Sequence, residues 1–369
     1  MGGAGRKDGI RTLKQYFVIG SYTEPILFGT GEVFQGKGKG ISFCTFEDGK
    51  IEIKKEIAVK NPSFLCVDEI NKKIYTVNEM KEYLGKTGGG MTQLTYDEEG
   101  NMSIEGSWNT YGEDPCHIAI GPNGQFAAIA NYSSGSVTVY PIDEKGNVKN
   151  DCQLFKHEGS SIHQSRQERP HAHSCIFAPD QESLYVSDLG IDKLVAYRYE
   201  GSVAYTEDSA SVRVPAGSGP RYGEFGKDGK HFYLINEISS QVMHFTYVDG
   251  KMEFQNAVNT LPSDFTGNNT CSDLHITPDG KFLYASNRGH DSLACYQIEE
   301  DGSLTFVERQ YCGGKTPRNF AIDLTGAYIL VGNQDSDTIT VFEIKENGHM
   351  NQVNQINTGA PVCIRFFRM

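Results

Sequence analysis

Apolar residues along this chain fall in short runs, not at the 3.6-residue spacing of an amphipathic helix. In PCHIAIGPNGQFAAIANY (Pro115 to Tyr132) one run breaks at a Gly-Pro-Asn-Gly turn and a second follows at once. Runs of four to eight apolar or alternating residues bounded by Gly, Asn and Asp predict strands. The turns Pro122-Asn123-Gly124, Pro278-Asp279-Gly280 and Lys227-Asp228-Gly229 supply the backbone conformations that tight hairpins need. The pattern continues from end to end without an Ala- and Leu-rich stretch, so the chain is predicted to be all-β.

The unit repeats. DPCHIAIGPNGQFAAIANYSSG (Asp114 to Gly135) aligns with RPHAHSCIFAPDQESLYVSDLG (Arg169 to Gly190), GPRYGEFGKDGKHFYLINE (Gly219 to Glu237) and CSDLHITPDGKFLYASNRGHD (Cys271 to Asp291). TPRNFAIDLTGAYILVGNQDSD (Thr316 to Asp337) and the weaker NPSFLCVDEINKKIYTVNE (Asn61 to Glu79) complete six. A seventh is split: TGAPVCIRF (Thr358 to Phe366) is a first strand without a second, and YFVIGSYT (Tyr16 to Thr23) a second without a first. The strand-end anchors Ser21, Asn78, Asn131, Asp188, Asn236, Asn287 and Asn333 recur at intervals of 46 to 57 residues, room for four strands each. Seven four-stranded antiparallel units whose ends complete one another predict a seven-bladed β-propeller, its ring closed by the N-terminal strand joining the C-terminal blade. A pair of β-sandwiches would leave the split unit unexplained. Residues 1–15 read as a flexible leader and 16–369 as a single domain.

The start of a unit's first strand and the end of its second lie on the same face. With the first strand innermost, these positions ring one mouth of a central channel. Strand starts offer His117, His171, His173, Arg221 and Arg318; second-strand ends offer Asn131, Asp188, Glu237, Asn287 and Arg288. Cations, a few acids and several amides then converge, which suits a small, oxygen-rich, anionic molecule. The recurring Asn or Asp equally suits a structural cap of the turn that follows it. Arg221 and Arg318, each after a proline, fit an interblade role as well as a ligand. Glu237, Arg288 and the two histidines break the blade pattern with a charge or an imidazole, which points to function.

Composition narrows the classes. A net charge of −13 argues against general nucleic-acid or anionic-membrane partners, and no apolar run approaches the 18 residues of a membrane-spanning helix. The nine cysteines are odd in number and contain no CxxC pair, so unpaired thiols in a reducing cytoplasm fit best. Cys116 reads as a small buried hydrophobe sooner than as a nucleophile. Gly85-Lys86-Thr87 and Gly314-Lys315-Thr316 fail as P-loops, because Met80 and Arg309 stand where the motif needs glycine. No Gly-x-Ser-x-Gly elbow occurs. His171-Ala-His173 finds no clustered partners for a metal, so no cofactor and no metal are expected. GKGKG (Gly36 to Gly40) reads as a mobile loop.

Taken together, PCHIAIGPNGQFAAIANYSSGSVTVYPI, RPHAH, GSGPR with INE, SNRGHDSL and TPRNFAID resemble the lactonase family of seven-bladed propellers. The resemblance spans Tyr16 to Phe366. It implies hydrolysis of a sugar lactone without an obligatory metal, the family's best-known activity being on 6-phosphogluconolactone, with a muconate-type cyclase branch beside it. It assigns catalysis to a histidine of RPHAH, matched to His173, with Arg221, Glu237 and Arg288. His117, Asn131, His171, Asp188, Asn287 and Arg318 are the expected substrate contacts. In the expected reaction Glu237 or His173 activates water, and Arg221 or Arg288 faces the oxyanion. The other arginine, with Arg318, holds a phosphate or carboxylate. Two other readings stay open: another lactone or a cyclisation on the same site, and a propeller used only as a binding platform.

Overall fold

The computed structural model describes residues 14–206 and 208–369. Most of the expected leader lies outside the described residues; its last residue, Gln15, already belongs to the strand Gln15–Ser21 and donates its amide to Asp323 Oδ2 at 2.7 Å.

Seven antiparallel sheets make seven blades. The first takes Pro361–Phe367, Gln15–Ser21, Ile41–Glu47 and Lys50–Ile57, in that order from the axis outward. Residues from both ends of the chain therefore share one sheet, with pairing running from Tyr16 opposite Phe367 to Ser21 opposite Pro361. The remaining six follow in sequence order, their inner strands being Leu65–Asp68, Pro115–Ile120, Ala172–Phe177, Pro220–Phe225, Thr270–Ile276 and Pro317–Ile322. Each inner strand touches the next around the ring, and the last touches Pro361–Phe367, so the ring closes around an axial channel. A short hairpin, Ile26–Leu27 with Val33–Phe34, lies outside the blades.

Apolar faces of adjacent blades pack to form the core. Phe43, Leu65, Ile74, Leu94 and Cys363, all buried, join the first blade to the second. A tyrosine in the second strand of four blades adds a recurring seam bond. Tyr75, Tyr185, Tyr233 and Tyr284 donate to the carbonyls of Gly146, Gly250, Gly302 and Gly348 in the following blade, at 2.6 to 3.0 Å. Each is worth about 1 kcal/mol net, but a tyrosine stripped of its acceptor would leave a buried hydroxyl unpaired.

All nine cysteines are free, and among the described residues no helix is long and apolar enough to cross a membrane. The GKGKG loop is packed: Gly38 donates its N–H to the Tyr22 carbonyl at 2.7 Å, and Lys37 pairs with Asp337.

Candidate active site

Two kinds of position build the mouth. The first is an irregularity at the start of the inner strand. Pairing jumps from Pro115 to His117, from Ala172 to Ser174, from Pro220 to Tyr222 and from Pro317 to Asn319. The residues stepped over are Cys116, His173, Arg221 and Arg318. A bulge re-aims its side chain, and here it sends four of them towards the axis. The second position follows the anchor that ends the second strand. Side chains alternate along a strand, so the anchor Asn points into the blade and its successor points to the mouth. Glu79, Tyr132, Glu237, Arg288 and Gln334 take this place and line a cavity of roughly 630 Å³.

Glu237 is the centre of that cavity's charge. Its Oε2 accepts from Arg221 Nε at 2.8 Å and lies 2.9 Å from Arg288 Nη2, while its Oε1 binds Arg166. Burial opposes its ionisation, but Arg288, Arg166 and Arg221 outweigh it and hold the carboxyl well below the usual range. One carboxylate does not balance three guanidiniums. Burial, together with the repulsion of Arg221, Arg318 and Arg166, pushes Arg288 down to about 10 despite Glu237. Across the mouth, Arg318 lies over the rings of Tyr22 and Phe28 at 5.2 and 5.3 Å and reaches Glu79 only at 3.9 Å. Burial raises the Glu79 carboxyl, and Tyr22 donates to it at 2.8 Å. The inner arginine cluster is therefore only partly neutralised by Glu237, while the carboxylates of Glu32, Asp114 and Asp335 line other parts of the cavity.

His173 stands at the floor. Burial, then the Arg221 charge, depresses it well below an ordinary imidazole, so it is neutral at physiological pH. Its Nδ1 lies 3.7 Å from Cys116 Sγ, and the thiol, raised by burial, keeps its proton. Both residues also face a second, much smaller cavity beneath, shared with Arg221 and His117.

The structure places the other expected contacts as follows. His117 is one layer deeper than His173, its ring 4.1 Å from that of Phe64, and burial lowers it to about 3. His171 supports the wall from behind, its ring stacked 4.5 Å from that of Tyr132 and its Nδ1 3.0 Å from the Tyr132 carbonyl. Asn131, Asp188 and Asn287 are fully buried in their blades. Asn131 donates to Ser136 and Thr138, Asn287 accepts from Thr260 at 2.7 Å, and Asp188 receives the His171 and Gly190 N–H groups. His173, Arg221, Glu237, Arg288 and Arg318 are brought together.

Sequence reasoning did not pick out Arg166, on the 157–171 connection ahead of the fourth blade, or the strap around the small hairpin. The strap lays Phe28, Gly29 and Phe34 over the opening. A Cβ on Gly29 would stand 2.8 Å from Tyr132 Oη, so glycine lets the strap close down on the wall. Neither segment belongs to the repeat, which is why repeat alignment passes over them.

A second ionised group lies farther down the channel. His275 sits 3.1 Å from both Asp273 and Glu224. Burial alone would lower it, but the two carboxylates win and raise it to about 9. A folded-state pKa above the unfolded 6.5 or so stabilises fully below that value and is lost as pH climbs through about 9. The thermal midpoint should therefore fall between pH 7 and 9.5 more steeply in the wild type than in His275→Gln, by differential scanning calorimetry; parallel slopes would refute this.

Among the described residues no three His, Cys, Asp or Glu side chains cluster as a metal site. The family model described as a seven-bladed β-propeller lactonase matches residues 16–366. A 6-phosphogluconolactonase of Bacillus subtilis (strain 168) is 33% identical over 286 residues, covering 76% of this chain and 80% of that one. One from Formosa agariphila is 32% identical over 280 residues, 73% of this chain and 78% of that one. The solved periplasmic gluconolactonase of Pseudomonas aeruginosa superposes with a TM-score of 0.88 at 30% identity, over 96% of this chain and 99% of that one.

Proposed function

The chain belongs to the lactonase family of seven-bladed β-propellers, and from that premise we propose that it is a 6-phosphogluconolactonase. The single observation that carries the reading is the mouth itself: a neutral buried imidazole beside an under-neutralised arginine cluster, in a cavity of sugar-phosphate size.

The reaction follows from those groups. His173 takes a proton from a water as the water oxygen bonds to the lactone carbonyl carbon. Arg221, on the adjacent inner strand, faces the oxyanion that forms; one such donor contributes about 3–4 kcal/mol. Collapse of the tetrahedral species breaks the bond to the ring oxygen, which accepts the proton held by His173 and leaves as a hydroxyl. The product is the open-chain acid, a carboxylate once its own proton is lost to solvent. Glu237, pinned in its charged form, is a poor base and instead fixes the guanidiniums in place. Arg288 and Arg318 grip the distal anion. The imidazolium formed in the first step is disfavoured among arginines, so an anionic substrate that offsets their charge also strengthens the base.

Nine unpaired thiols support a reducing compartment, the cytoplasm. The testing experiment is a pH-stat assay of freshly generated 6-phosphoglucono-δ-lactone and of glucono-δ-lactone against their spontaneous hydrolysis. A kcat/KM at least about a hundredfold higher on the phosphorylated lactone is expected, since charge-assisted contacts to a phosphate are lost with it. Equal rates would make the protein a general sugar lactonase. Background rates on both would end the lactonase reading.

A further inference from the structure

The mouth has a gap in its symmetry. In the other six blades the second-strand anchor is followed by Tyr22, Glu79, Tyr132, Glu237, Arg288 or Gln334; in the fourth it is followed by Leu189, which is fully buried. The 157–171 connection fills this place. Gln167, itself buried, donates Nε2 to the Leu189 carbonyl at 2.9 Å and accepts from the His163 N–H through Oε1. Its neighbour Arg166 is thereby set at the rim, with Nη2 bonded to Tyr132 Oη at 3.1 Å and to Glu237.

Arg166 differs from Arg221 and Arg288 in how many donors it has committed. Arg221 is tied to Glu237 and the Ser272 carbonyl, and Arg288 to Glu237 and the Thr270 and Cys271 carbonyls. Both partners of Arg166 sit on one nitrogen, and its buried Nε–H has no acceptor at all. That Nε is closed off behind Gly29 of the strap, but Nη1 makes no hydrogen bond and is left to donate to an incoming oxygen. The side chain is only 11% exposed, so such an oxygen would meet a guanidinium largely stripped of water.

We propose that Arg166 is a specificity-determining residue: it completes the grip on the substrate's phosphate and sets the preference for phosphorylated over unphosphorylated ligands. The proposal deepens the lactonase reading and rests on it for the identity of the substrate. The phosphate then bridges the rim between Arg166 and Arg288, the two guanidiniums that Glu237 already holds through its two carboxylate oxygens.

The test is calorimetric binding of 6-phosphogluconate and of gluconate to the wild type, Arg166→Met, Arg166→Lys and, as a control on the same connection, the exposed Arg169→Met. The ratio of the two affinities should collapse by at least about tenfold in Arg166→Met. Arg166→Lys, which keeps the charge but loses the fork, should recover part of it. Arg169→Met should match the wild type. An unchanged ratio in Arg166→Met, whether both ligands weaken equally or neither does, would overturn the proposal and leave Arg166 a support for Glu237. So would a wild type that does not prefer the phosphorylated ligand. Hydrolysis of both lactones is followed in parallel. Wild-type binding that discriminates without turnover would sink the lactonase reading, while the binding ratios would still decide Arg166.

Discussion

Replacing His173 with glutamine should lower kcat/KM for lactone hydrolysis by about 10²–10⁴-fold while leaving the thermal midpoint nearly unchanged. Glutamine fills similar space and bonds through its amide, so the floor of the cavity stays packed; what disappears is the group that takes a proton. The pH profile carries a second, sharper expectation. The imidazole is held well below its ordinary value, by burial first and then by Arg221. Its basic form therefore persists as pH falls through 6.5, and wild-type kcat/KM should stay flat there instead of dropping with an ordinary histidine. Glucono-δ-lactone is the substrate to use, because the second ionisation of a phosphate, near pH 6, would intrude on the same range. A falling limb at pH 6.5 or above, or wild-type activity in His173→Gln, would remove this residue from the role of base.

Glu237→Gln should be the most damaging change to stability in the mouth, and its damage should be repairable. Removing the carboxylate leaves Arg166, Arg221 and Arg288 buried and facing one another, and breaking a buried ion pair from one side costs about 3–5 kcal/mol. For a chain of this size that lowers the thermal midpoint by roughly 4–6 °C. Activity should fall by more than about a hundredfold, because the guanidinium facing the oxyanion loses its fixed direction. Inorganic phosphate at tens of millimolar should restore more of the midpoint in Glu237→Gln than it adds to the wild type, the added anion standing in for the missing one. Scanning calorimetry with and without phosphate measures this. A variant as stable as the wild type, or one that phosphate does not help, would show that the carboxylate does not organise the cluster.

How far the sequence could be read depended on the repeat. Six units were legible because each carries the same alternation around a turn, and the seventh because its two strands stand without partners at opposite ends. Their shared register also brought His173, Arg221, Glu237, Arg288 and Arg318 to one mouth. Choosing between neighbouring residues was harder. Alternation puts Asn131 into its blade and Tyr132 at the wall, but an alignment weighs the recurring Asn as the stronger signal. Likewise the position after the first-strand proline selects Cys116, the counterpart of Arg221 and Arg318, whereas the imidazole of His117 draws the eye one residue too far. Arg166 and Gly29 lie on unique segments whose places are set by single long-range contacts, such as Gln167 to Leu189, and no periodicity records those.

The pairing of Tyr16 with Phe367 has a bearing on how the molecule comes into being and how it comes apart. Six of the blades are assembled from neighbouring segments and can form as the chain lengthens. The remaining one needs partners some 350 residues apart, so the entropy of bringing them together is spent in a single late step. Until that step an almost complete solenoid exposes an unpaired edge at each end, the species most open to joining with another copy. Once the latch has closed no blade is left incomplete, and opening the ring must begin by tearing a buried inner strand out of its sheet. Persistence in the cell is then governed by the rate of that rupture more than by the equilibrium free energy of folding.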